Sequence, residues 1–196
     1  MLSVRNLSTP VLKPASFRLE AGECVAVQGR SGSGKSVLLR ALSDLDPSTG
    51  EVRLNGALRE EMPAPLWRRR VTYVAAESGW WEDRVGAHFA HPDRAVALAG
   101  TLGLPAEVME WPVARLSTGE RQRLALVRAL VQGPEVLLLD EPTGPLDAEA
   151  TERVEALLRG ALERGAGVLV VTHSPEQAAR LARRHLHVAD GEVTEG

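Results

Sequence analysis

The sequence predicts an α/β fold with a mostly parallel core sheet, and three observations carry that expectation. Apolar runs of strand length alternate with amphipathic helical patterns, one strand passes through a glycine-rich loop into a helix, and a helical stretch without β signal is inserted midway. Strands are expected at 2–7, 16–19 and 23–28, and after the last of these a Gly/Ser loop opens the helical pattern Val37, Leu38, Ala41, Leu42, Leu45. Residues 50–55 and 71–75 read as further strands, separated by a loop holding Pro63 and Pro65 and a short helix at 66–70. From Ser78 to Arg115 the β signal disappears. Trp80, Trp81, His88 and Phe89 stand there among Ala-rich helical pieces punctuated by Pro92, Pro105 and Pro112. The alternation then resumes with a helix at about 119–132, a strand at 135–139, a helix at about 148–163, a strand at 167–172, a helix at 175–183 and strands at 185–189 and 192–195. Ligands of such a sheet belong at the carboxyl ends of its strands.

A chain of 196 residues fits one domain. Its net charge of −3 argues against a nucleic-acid partner, and the densest basic run, Arg68-Arg69-Arg70, reads as a solvated face before a strand. The single cysteine, Cys24, excludes a disulfide framework and reads as a buried structural thiol in a reducing compartment. Arg5, Lys13, Arg18 and Glu20 break up any apolar signal-peptide core, and the aliphatic runs 136–139 and 168–171 are too short to span a bilayer. A soluble protein is expected. Lysine occurs only at 13 and 35 among 23 basic residues, so Lys35 marks a place where a compact ammonium is wanted rather than charge alone.

Gly29-Arg30-Ser31-Gly32-Ser33-Gly34-Lys35-Ser36 fits G-x-x-x-x-G-K-[ST] between a strand and a helix, the context that pattern requires. Its glycines let backbone N–H groups turn toward phosphate oxygens, Lys35 supplies a point charge for the β and γ phosphates, and Ser36 offers a hydroxyl to Mg²⁺. With Val37 these residues form the expected nucleotide-binding segment. Val136-Leu137-Leu138-Leu139-Asp140-Glu141 is a buried strand ending in two carboxylates. Asp140 is poised for Mg²⁺, and Glu141 stands one residue further out, where a base polarises the water that attacks the γ phosphate. Leu116-Ser117-Thr118-Gly119-Glu120 precedes a clear helix, and Ser117 with Glu120 fits a capping box. Such a helix end is also a receptor for phosphate.

The order of P-loop, helical insert, L-S-x-G-E, strand ending Asp-Glu and strand ending in His resembles the ABC ATPase cassette over nearly the whole chain. The resemblance implies a single P-loop NTPase domain of ABC type, with antiparallel β pieces beside the core sheet and a helical subdomain at about 78–132. It implies ATP and Mg²⁺ as ligands and a separately encoded membrane permease as partner. Ser117, Thr118, Gly119 and Glu120 look like the signature motif, which in the family binds the γ phosphate of ATP held by a second subunit in a head-to-tail dimer. Gly144-Pro145-Leu146-Asp147 is similar to the D-loop, and Asp147 also reads simply as the cap of the next helix. His173, followed by the helix-start pair Ser174-Pro175, resembles the switch histidine, whereas His88, His91, His185 and His187 read as structural or solvated.

The chain departs from the family pattern in four places. Ala76-Glu77 replaces the glutamine usual after the strand that matches 71–75; Glu77 as a substitute Mg²⁺ ligand would add negative charge beside the γ phosphate and slow or re-gate hydrolysis. No aromatic precedes the P-loop except Phe17, which reads as core, so base selectivity is expected to be loose. Thr118 stands where glycine is usual in the signature. Trp80-Trp81 reads either as a docking anchor for the permease or as packing inside the helical subdomain. The surrounding Ala-Glu-Ser-x-Trp-Trp stretch resembles a small subgroup of cassettes associated with iron export.

Overall fold

In the computed structural model, which describes residues 1–196, β1 (Leu2–Ser8) and β2 (Ala15–Leu19) open the chain. β3 (Cys24–Gln28) feeds the glycine-rich loop, which runs into α1 (Lys35–Leu42). Next come β4 (Thr49–Leu54), β5 (Ala57–Leu58), α2 (Ala64–Arg70) and β6 (Val71–Val74). The β-free stretch holds α3 (Pro92–Thr101) and α4 (Thr118–Val131), with 3-10 turns at Val85–His88, Ala106–Glu110 and Val113–Arg115. β7 (Val136–Asp140), α5 (Ala148–Glu163), β8 (Gly167–Val171), α6 (Pro175–Leu181), β9 (Arg184–Ala189) and β10 (Glu192–Glu195) complete the order.

The strands form an antiparallel sheet, β2-β1-β4-β5, and a six-stranded sheet, β10-β9-β3-β8-β7-β6. In the second sheet β9, β3, β8, β7 and β6 are mutually parallel, and only β10 runs against its neighbour. Side chains alternate across a strand, and here both faces are apolar because both are covered. Cys24, Ala26, Leu137, Leu139, Val168 and Val170 face one core with α4, α5 and the helical stretch. Val25, Val27, Val136, Leu138, Leu169 and Val171 face the other, against α1, α2 and the antiparallel sheet. Cys24 is buried, and burial pushes its thiol up to about 12, as suits an inert structural cysteine.

Differences from the sequence reading have local causes. α1 stops at Leu42 rather than reaching Leu45, because Asp44 adopts a left-handed conformation (φ 60°) and the Leu45 N–H turns back to the Arg40 carbonyl. Leu45 is left exposed. α2 begins two residues earlier than expected, behind Pro63, and packs Trp67 fully into the core, where its indole N–H donates to the Leu42 carbonyl at 2.9 Å. α6 ends at Leu181, with Ala182 already extended. The hairpin β4–β5, absent from the expectation, turns on Asn55-Gly56, both at positive φ, a pair that favours a tight hairpin.

Candidate active site

β3, β8 and β7 lie side by side and parallel, so the segments that follow them emerge at one edge of the sheet. β3 delivers the glycine-rich loop, β7 ends in Asp140 with Glu141 next, and β8 leads to His173. This is the crevice that a parallel sheet offers to ligands.

Gly29 (φ 149°) needs to be glycine: a Cβ there would sit 2.1 Å from the Val188 carbonyl oxygen. The Lys35 side chain is only 7% exposed and donates from Nζ to the carbonyls of Gly29 and Arg30, at 2.8 and 2.9 Å. Gly34 precedes α1 with no side-chain cap and no acidic residue in the first turn, which leaves the helix end open to an anion. Ser31, Gly32 and Ser36 are exposed, Val37 half-buried, and Ser33 Oγ is buried without a partner.

Glu141 and His173 meet: Nε2 of the imidazole lies 2.9 Å from Glu141 Oε1. Glu141 sits at φ 48°, a left-handed conformation that costs a residue with a side chain about 1–2 kcal/mol. The Glu141 N–H donates to the Val171 carbonyl at 3.0 Å, tying the strained residue to the end of β8. A polar cleft of about 450 Å³ opens beside the pair, lined by Thr143, Gly144, Thr172, Ser174 and Gln177 among others.

Asp140 is buried, and its carboxylate accepts one protein hydrogen bond, from the Tyr73 hydroxyl to Oδ2 at 3.1 Å. Burial and the neighbouring carboxylate push the Tyr73 phenol far above its ordinary value, so it stays a donor. No group of three His, Cys, Asp or Glu side chains is arranged to enclose a metal. A cation here would rest on the Asp140 carboxylate, the Ser36 hydroxyl and phosphate oxygens, a sparse set that Mg²⁺ accepts. Asp140 fits it, since Oδ1 carries no protein hydrogen bond. Glu77 is exposed and makes neither a hydrogen bond nor an ion pair.

Ser117 caps α4 with a complete capping box. Its N–H and hydroxyl both donate to Glu120 Oε2 at 2.8 Å, and Oγ accepts from the Glu120 N–H at 3.3 Å. Partial burial would raise the Glu120 carboxyl, but the two Ser117 bonds with Arg123 and Arg115 outweigh it and hold the group below the usual range. Ser117 and Thr118 are exposed, whereas Gly119 packs on the turn before α5: a Cβ there would meet Leu146 Cδ2 at 3.2 Å. Asp147 caps α5, accepting from the Ala150 N–H at 2.8 Å.

Three features escaped the sequence reading. Tyr73 on Asp140 is one. A second is a network around buried Glu155, which pairs with Arg180 and accepts from Gln177, whose amide also donates to Thr143 just past Glu141. Arg180 holds the Glu155 carboxyl below its usual range. The third is the placement of His187, read as structural or solvated: it is exposed and borders a cleft of about 490 Å³ with Val11, Arg30, Ser31, Gly32 and Ser33. Phe17 is core, as read.

The two tryptophans part company. Trp80 packs against the main core, while Trp81 is 69% exposed. Both rings contact His88, which accepts the N–H groups of Trp81 and Glu82, and the Arg128 guanidinium lies 4.7 and 4.9 Å from the two ring centroids.

Fold and site together define a P-loop ATPase. Residues 12–144 match the ABC transporter family. The aliphatic sulfonates import ATP-binding protein SsuB of Pseudomonas fluorescens is 41% identical over 98% of this chain and 75% of its own length. The macrolide export ATP-binding/permease protein MacB of Photorhabdus laumondii is 38% identical over 93% of this chain, which spans only 31% of that relative. Among solved structures, the dimeric bacterial ABC transporter cassette MJ0796 superposes with a TM-score of 0.80 at 26% identity, over all of this chain and 98% of that one. An ATP-binding subunit of an ABC transporter superposes at 0.91 with 24% identity, over all of this chain and 89% of that one, a likeness of fold. The chain belongs to the ABC transporter family, as an ATP-binding cassette with ATPase activity. No helix is long and apolar enough to cross a membrane.

Proposed function

We propose that the chain powers transport through a permease carried on a separate polypeptide, acting at the cytoplasmic face of the membrane as a head-to-tail dimer, in the simplest case a homodimer. The observation that carries this reading is the meeting of the glycine-rich loop, Asp140 and the Glu141–His173 pair at neighbouring strand ends. The chain acts as one ATPase domain, with the helical subdomain of about 78–132 inserted in the α/β core. Nucleic acid has no part in it.

Residues 29–34 present N–H groups to the phosphates, Lys35 sets its charge against the β and γ oxygens, and Val37 continues the helix behind them. Ser36 and Asp140 would hold Mg²⁺, with Glu77 a further oxygen within the same strand-end region, and the ion would supply neutralisation of phosphate charge. Glu141 takes a proton from the attacking water as the new P–O bond forms and the bond to the ADP oxygen breaks. His173 donates to Glu141 Oε1 and so fixes that carboxylate toward the γ phosphate. Ser117, Thr118, Gly119 and Glu120 offer the end of α4 to the ATP of the second subunit, and Asp147, beside the Leu146 that packs on Gly119, relays between the two sites. The base rests against Val11 and His187, aliphatic and imidazole contacts in place of a stacked aromatic.

The test is equilibrium dialysis of purified protein with ATP across a range of Mg²⁺. Mg²⁺-dependent retention is expected, with GTP competing within about tenfold, because the base seat contributes contact more than readout. Protein that fails to retain ATP overturns the motor reading. In the same titration Glu77→Gln is expected to shift the Mg²⁺ requirement, and an unchanged curve removes Glu77 from the metal site.

The exposed Trp81, backed by Trp80, His88 and Arg128, is the anchor offered to the permease. Trp81→Ala is expected to cut transport at least fivefold in proteoliposomes with the co-purifying permease, while basal hydrolysis stays within twofold. A parallel loss of both rejects the anchor. Cargo belongs to the membrane subunit: the relatives' names point to aliphatic sulfonates and macrolides, and the Trp-Trp stretch to iron.

A further inference from the structure

Tyr73 is half-buried in β6, beside β7, in a register that pairs Tyr73 with Leu138 and Val74 with Leu139. From there its hydroxyl reaches past the end of that pairing to Asp140 Oδ2. It is the one protein donor to this carboxylate, since Lys35 spends its bonds on Gly29 and Arg30. The ring packs on the face of the sheet that it shares with Leu138, against the core built with α1 and α2, opposite the face covered by α4. It therefore cannot swing freely, being held on one side by the sheet and at its tip by the acid.

We propose that Tyr73 is a positioning residue for the cation site: by occupying Asp140 Oδ2 it fixes the carboxylate plane and leaves Oδ1 as the oxygen that faces Mg²⁺. The proposal rests on the nucleotide-site reading above. A carboxylate rotates in a broad, two-fold torsional well, so an unsupported Asp140 would sample orientations that present either oxygen or neither. A half-buried phenol donating to one oxygen removes that freedom before the metal arrives, as outer partners do for metal ligands generally. It also satisfies a lone pair that a single cation, bound through the other oxygen, would leave without a partner. A tyrosine is well matched to this place in β6, because the phenol spans the gap between strand backbone and strand end. Phenylalanine would fill the same space without the bond.

Tyr73→Phe is the direct test, read as the Mg²⁺ concentration that half-saturates ATP binding in equilibrium dialysis, with ATP binding in EDTA measured alongside. The Mg²⁺ half-point is expected to rise about tenfold, the low end of what losing an outer-shell partner costs. Binding in EDTA, which draws on the glycine-rich loop and Lys35, is expected to stay within twofold. In an Asp140→Asn background the same Tyr73→Phe change should have no effect on the half-point, because the oriented ligand is already gone. An unchanged half-point in the single variant, or an equal rise in the Asn background, overturns the assignment to Tyr73. Wild-type protein whose ATP binding ignores Mg²⁺ altogether overturns the nucleotide-site reading itself, and the role of Tyr73 with it.

Discussion

Glu141→Gln is expected to lower the rate of ATP hydrolysis by about 10²- to 10⁴-fold while leaving MgATP retention within a few-fold. The substitution keeps side-chain length and a carbonyl oxygen for His173 Nε2, which now stands 2.9 Å from Oε1, so local geometry survives. What it removes is the charge and lone pair that, in the proposed role, would accept the proton from water. The backbone strengthens the case for a role in chemistry: φ of 48° at a residue with a side chain is strain that packing alone gives no reason to keep. Steady-state phosphate release, set against ATP binding by dialysis, separates the two effects. A glutamine variant that hydrolyses ATP at the wild-type rate would leave the chain as a nucleotide sensor, with Glu141 no base.

Trp67→Ala is expected to be the most damaging change away from the site, at about 3–5 kcal/mol of stability. The side chain is fully buried among Leu38, Leu42, Val71 and their neighbours, and its loss opens a void while leaving the Leu42 carbonyl without the indole N–H. For a chain of this size each kcal/mol moves the melting midpoint by roughly 2–4 °C, so calorimetry should show a fall of about 6–20 °C. A drop of only one or two degrees would mean that α2 rearranges to fill the space. The effect reaches the site indirectly, because Trp67 locks the end of α1, the helix that starts at Lys35, against the helix that leads into β6.

The fold was legible wherever period and punctuation agreed. Strands β3, β7 and β8 are largely apolar because both faces of the sheet are covered, and the candidate site residues stand at the end of β7 and in the segments that follow β3 and β8. The capping box at Ser117 and the cap at Asp147 were readable because they are local. The signal for β5 lies in the Asn55-Gly56 pair, which a search for longer apolar runs misses. Tyr73 on Asp140 and the Thr143–Gln177–Glu155–Arg180 chain were not readable: they join residues dozens of positions apart, and no spacing rule links a strand phenol to a carboxylate on the next strand. The two tryptophans, adjacent in sequence, differ in burial because Trp80 packs against the core and Trp81 turns to solvent, although both rings meet His88 and Arg128.

Lys35 closes its own loop by clasping the carbonyls of Gly29 and Arg30. If a triphosphate binds here as proposed, it meets a loop already tied, and its capture would be a trade of partners in which the ammonium gives up two neutral acceptors for charged ones. On that reading the net gain is smaller than a count of new phosphate contacts would imply. Removing the lysine would strip the tie as well as the charge, so lost affinity in such a variant would report a slackened loop together with a missing cation.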